Sequence, residues 1–239
     1  MAFPVVSSAG YSEEAENATS HDVVLPAGIV SGDLLLLFVS LDGAPTLSGF
    51  PAGWTQVIRT SATAAVAEVW YKIADGSEVN FAYTSSGVET SVNRCLRITS
   101  WHGTTAPEAT GATSTGNTTP NPPTLTPSWG SADTLWAAYY GMDGGAGATG
   151  EATAYPTSYA NNQYTDVSGI GGAGTVAMAV ATRELAAASD DPGTFTSNRS
   201  DAWAALTVAV RPAAAGAGGA PPGHGILLSG IRNHLMQHV

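Results

Sequence analysis

Apolar and polar positions alternate in short runs along most of the chain, with Gly, Pro, Asn and Asp between them. GDLLLLFVSLD (32–42) is apolar without a break, which predicts a central strand buried on both faces. HDVVLP (21–26) and GWTQVIRT (53–60) read as shorter strands. AEVWYKIAD (67–75) alternates, ends in Asp75-Gly76 and is followed by EVNFAYTS (78–85), so the pattern predicts a hairpin over 67–85. SVNRCLRITSWHG (91–103) also alternates, but Arg94 and Arg97 fall on opposite faces, so either face could be the buried one.

The stretch 113–132 is rich in Thr and Pro and reads as a long surface connection between sheets. DTLWAAYYGMD (133–143), TVAMAVATREL (175–185) and AWAALTVAVRP (202–212) resume the strand pattern, and 145–174 is loop-rich. Residues 184–191 could form one helical turn. About ten short strands and no long helical period predict an all-β chain, an antiparallel jelly-roll-like β-sandwich over 1–212. Residue-by-residue comparison brings out no internal repeat. Residues 213–223, AAAGAGGAPPG, read as a flexible linker stiffened by prolines at its end. A short arm, 224–239, follows. Within it Leu228, Ile231, Leu235 and Val239 recur at helical spacing, with Ile226, Leu227 and Met236 beside them. A helix this short is marginal in water and needs a surface to fold on.

Charge removes several classes of function. The net charge is −11, and Lys72 is the only lysine. Phosphate neutralisation needs clustered basic side chains, so nucleic acid is not an expected partner, and neither is an anionic membrane surface. No run approaches the roughly 20 apolar residues of a membrane-spanning helix. The single cysteine, Cys95, lies in an alternating run and reads as a small buried hydrophobe, with no disulfide possible within the chain. The N-terminus lacks a basic and apolar leader, so synthesis in a cytoplasm without a signal peptide is expected.

Candidate chemistry is sparse. No G-x-S-x-G is present, and the glutamates are spread without a partner at strand spacing, so no catalytic residues are assigned. His234 and His238 are four residues apart, with His224 nearby, but no carboxylate or cysteine joins them, so no metal and no cofactor are expected. Asp42-Gly43 and Asp190-Asp191 lack a calcium-loop pattern and read as turn residues. Among the aromatic residues, Trp54, Trp70, Trp101, Trp136 and Trp203 fall in apolar strands. Trp129, Tyr155, Tyr159 and Tyr164 fall in loops and are the candidates for a glycan-stacking patch.

FPAGWTQVIRT and AEVWYKIADGSEVNFAYTSS within 50–86, RITSWHG (97–103) and AWAALTVAVRP (202–212) together resemble a β-sandwich module of tailed-bacteriophage structural proteins. Such modules occur in head decoration, minor tail and tail fibre proteins. The resemblance implies a virion structural protein without shared catalytic residues, and a homo-oligomer, a trimer being common for such sandwiches. The expectation is a sandwich displayed on the particle, with Ile226, Leu227, Leu228, Ile231, Leu235, Met236 and Val239 holding other virion proteins. Head decoration is favoured over a tail appendage, because an arm on a compact domain suits a lattice of docking sites. The alternative is a tail fibre or minor tail protein that binds a host glycan.

Overall fold

The computed structural model describes residues 2–145, 149–169 and 174–214. Their strands are β1 (Val5–Val23), β2 (Leu34–Asp42), β3 (Leu47–Ser48), β4 (Thr55–Ser61), β5 (Ala65–Ile73), β6 (Phe81–Thr99), β7 (Glu108–Asn117), β8 (Ala132–Asp143), β9 (Ala152–Ala154), β10 (Asn161–Ser168), β11 (Val176–Ala187), β12 (Thr196–Ser197) and β13 (Asp201–Val210). They build an antiparallel β-sandwich. One sheet runs β1-β6-β2-β5-β4, with β3 on the first part of β6; the other runs β10-β11-β8-β13-β7. β9 and β12 form a small separate ribbon.

β2 is buried on both faces, as its unbroken apolar run requires. Leu34, Leu36 and Phe38 face the second sheet, while Leu35, Leu37, Val39 and Leu41 face a second core layer under the loops outside the first sheet. Trp136, Tyr140, Tyr159, Phe195 and Trp203 form a third layer outside the second sheet. Three apolar layers explain how a chain with few charges buries so many aromatic rings.

Several sequence expectations need correction. β5 and β6 do not form a hairpin: both pair with β2, one on each side, and Asp75-Gly76 turns the chain across the end of the sheet. Ser31 fills the space beside Gly76, whose φ of 92° suits glycine. The 91–103 strand is the second part of the 19-residue β6. Arg94 points between the sheets onto Asp166 and Arg97 outward onto Asp33, so both faces are buried and each cation has its own carboxylate. Residues 108–117, partly inside the expected surface connection, are edge strand β7. The loop-rich 145–174 stretch contributes β9 and β10. Residues 184–187 continue β11 rather than forming a helical turn.

The sequence hides a repeat that the topology reveals. The main strands of the first half, β1, β2, β4, β5 and β6, are ordered first-fifth-second-fourth-third. β7, β8, β10, β11 and β13 follow the same order in the second sheet. Register carries the match to single residues. Leu34 lies opposite Ile73 and Ile98; Leu135 lies opposite Glu184 and Val210. The turn Phe50-Pro51-Ala52-Gly53-Trp54 has its counterpart in Tyr155-Pro156-Thr157-Ser158-Tyr159, and each closes by an N–H from its last residue onto the proline carbonyl. Tyr83-Thr84-Ser85, paired with β3, corresponds to Phe195-Thr196-Ser197, paired with β9.

The two halves face each other about a pseudo-two-fold axis, and counterparts meet across it. Phe38 meets Tyr139 edge to face at 5.0 Å. Ser40 packs on Gly141, where a Cβ would stand 2.1 Å from the Ser40 hydroxyl. At the ends of β6 and β13, Ala213 N–H donates to Ser100 O and His102 N–H to Arg211 O, and Trp101 bridges to Pro212. The arrangement is that of a symmetric homodimer joined into one chain.

Candidate functional site

The sandwich has two unlike ends. At one, the last described residues leave beside Ser100, and the indole N–H of Trp101 donates to Gly32 O at 2.9 Å. Gly32 belongs to the 24–33 loop. That loop is tied to the 74–80 loop by Gly32 N–H to Ala74 O at 2.8 Å and by Leu25 N–H to the Asn80 side chain at 2.9 Å. Asp33 anchors the loop from below, receiving Arg97 at 2.5 Å and Val30 N–H at 2.9 Å. These two loops carry Val24, Val30 and Val79, and Ile73 ends β5 beside them; the four are exposed large apolar side chains. The arm that the sequence assigns to binding, with Ile226, Leu227, Leu228, Ile231, Leu235, Met236 and Val239, lies outside the described residues, as do His224, His234, His238 and most of the linker.

The other end is acidic. Asp42 ends β2 and Asp143 ends β8, so the carboxyls are counterparts across the pseudo-axis, and they hydrogen-bond to each other. Burial, reinforced by Asp42 and Asp201, pushes the Asp143 carboxyl up to about 7; Asp42 is raised chiefly by burial. Glu89 is raised by burial and by Asp42, and Asp201 is held by Arg199 at 2.5 Å. Asp42 and Asp143 both precede glycine, in LDG and MDG, and that echo was the available signal for the pair. Among the described residues, no group of three His, Cys, Asp or Glu side chains could hold a metal ion.

Two buried polar networks lie outside the first sheet. Glu68, 1% exposed, accepts from Arg59, from Gln56 Nε2 at 2.8 Å and from the Trp70 indole at 2.8 Å. Its partners were invisible in the sequence because they come from β4 and from its own strand two residues on. His21, stacked on Tyr83, lies between the hydroxyls of Ser91 at 3.0 Å and Ser85 at 2.8 Å. Burial lowers its pKa, favouring the neutral ring. A Ser–His pair acting on a substrate needs access and a carboxylate to orient the ring. His21 is 0% exposed, and neither ring nitrogen meets a carboxylate, so the arrangement joins β1 to β6.

Of the glycan candidates, Trp129, Tyr155 and Tyr159 pack in the apolar layer outside the second sheet, while Tyr164 lies apart from them. Tyr159 is 0% exposed and donates its hydroxyl to Asp190, which also takes Arg183 at 3.1 Å; it offers no open face to a sugar. Its burial corrects the loop assignment: it is the counterpart of Trp54 and closes the core layer outside its sheet. Tyr155 is half-buried, edge to face with Phe195 at 5.8 Å. Trp129 is half-buried, its indole donating to Thr134 at 3.2 Å. Tyr164 lies on the inter-sheet side with Arg94 over its ring at 4.4 Å. Cys95 is buried and its thiol pKa is pushed up by desolvation, which keeps it an unreactive thiol. Compared with known proteins, the chain matches no family model, no curated protein and no solved structure.

Proposed function

We propose that this chain is a structural protein of a tailed-phage particle, a sandwich displayed outward and held at its exit end by the C-terminal arm. Head decoration is favoured over a tail appendage. The observation that carries the reading is the placement of the chain exit. Val210 completes the inter-sheet core, and the chain then leaves at one end, beside the exposed apolar loops and opposite the acidic end. Anchoring there would project the remainder of the sandwich away from the particle. The resemblance in 50–86, 97–103 and 202–212 supports the phage setting, and these residues fall in β4, β5 and β6 of the first sheet and β13 of the second. The work done is binding. Apolar side chains of the arm bury area on a neighbour at roughly 25 cal/mol per Å² before ordering costs, and many copies make weak contacts durable.

Deleting 215–239 tests this. The truncated protein is expected to keep its far-ultraviolet circular dichroism and to disappear from particles assembled in its presence. Normal incorporation of the truncated protein would overturn the reading.

A further inference from the structure

We propose that the surface receiving the arm is the apolar patch of Val24, Val30, Ile73 and Val79 on a second copy of this chain. The inference deepens the anchoring-arm reading and rests on it. These side chains are 39%, 54%, 40% and 76% exposed, on the end of β5 and on two loops joined by the hydrogen bonds from Gly32 and Leu25. Beside them, Asp22, Val23, Val24, Asn80, Phe81 and Ala82 line an open groove.

The second half of the molecule serves as an internal control. Its matching end is equally near the pseudo-axis and the chain exit. There, the counterpart of Ile73 is Glu184, since both stand opposite the first leucine of the central strand. In the same register Val30-Ser31-Gly32-Asp33 corresponds to Ser131-Ala132-Asp133-Thr134, replacing the exposed valine with serine. The architecture therefore builds this end without exposed aliphatic side chains in one half. Their presence in the other is not a demand of the fold, and exposed aliphatic side chains gathered on adjoining segments suit a contact surface.

Three features select the arm of another copy as occupant. The arm carries the complementary apolar stripe, and its only formal charge on a side chain is Arg232, whereas exposed Asp22 flanks the patch; Asp75 nearby is paired with Lys72. The exit and the patch share one end, so copies standing the same way up can each pass an arm to the next and close a ring. The nine residues 215–223 span up to roughly 30 Å when extended, and their Pro-Pro favours extension. That reach suits a neighbour better than loops one hydrogen bond from the exit.

The experiment uses the full chain carrying Val79→Cys and Leu235→Cys, with buried Cys95 left in place. Equal amounts of heavy- and light-isotope protein are mixed, oxidised and mapped by mass spectrometry. The expected result is a 79–235 disulfide joining heavy to light chains. Sedimentation of the unsubstituted protein should show an oligomer, and Val30→Ser with Ile73→Ser should raise its dissociation constant at least tenfold. Val79→Ser, at the most exposed site, provides a variant that leaves the core untouched. A 79–235 link confined to single chains would overturn the proposal in favour of the arm folding on its own sandwich. No link together with monomeric sedimentation would also overturn it. Particle incorporation of the Val30→Ser, Ile73→Ser protein, measured separately, distinguishes that failure from a failure of anchoring: normal incorporation leaves the arm bound to another protein.

Discussion

Asp42 and Asp143 make the clearest case for energetics decided by single residues. Two carboxyls from facing sheets meet where Asp201 and Glu89 add negative charge and Arg199 answers only part of it. The folded Asp143 carboxyl titrates at about 7, above its ordinary 3.8, so the folded state binds its proton more tightly than the unfolded state does. The sign follows from linkage. Below pH 4 both states are protonated and nothing is lost. Between 4 and 7 the unfolded chain gives up its proton first and stability falls; above 7 the loss is complete. Asp143→Asn should flatten this decline. At pH 8 it should raise stability by about 1–2 kcal/mol, a figure reduced for solvent screening at a partly open site. Urea unfolding of both proteins from pH 4 to 8 checks it, and parallel curves would show that the pair does not carry the titration.

Strand crossings depend on the same local fit. Gly141 gives β2 and β8 their close approach, since a Cβ there would stand 2.1 Å from Ser40 Oγ and 3.2 Å from Val66 O. Gly141→Ala should therefore cost roughly 1–3 kcal/mol by overpacking. Because Ser40 is its counterpart across the pseudo-axis, adding Ser40→Gly should return most of that loss, giving a coupling that denaturation of the two single variants and the double variant measures directly. Strand identity was legible wherever a strand carried its own pattern, as in the doubly buried β2 or the alternation around Cys95. Pairing was not. The turn at Asp75-Gly76 looks like a hairpin because local sequence cannot say that β2 intervenes between β5 and β6. The repeat escaped for a related reason. Loop lengths differ between the halves, and the β11 positions that correspond to Trp70 and Glu68 are Ala181 and Ala179, so matching positions do not look alike in the sequence. Tyr159 was misjudged because a tyrosine in a polar loop gives no sign that the loop folds down over the outside of a sheet.

The duplication also constrains how the whole molecule must unfold. Each half supplies one sheet, and the inner face of each sheet, Leu34, Leu36, Phe38 and Leu96 on one side and Leu135, Tyr139, Val180 and Leu206 on the other, is covered only by the opposite half. Tyr139 drives the point further by donating its hydroxyl to Val39 O at 2.7 Å, across the sheets. Neither half can remain folded after the other leaves without exposing a full apolar layer. Chains of this size often unfold through intermediates, domain by domain. Here the expectation is opposite: one calorimetric transition whose van't Hoff and calorimetric enthalpies agree. Gly141→Ala, a lesion at the junction, should lower that single transition rather than split it. Two resolved transitions would mean that each half holds its outer layer together well enough to stand alone, and the halves would then be tandem domains instead of a fused pair.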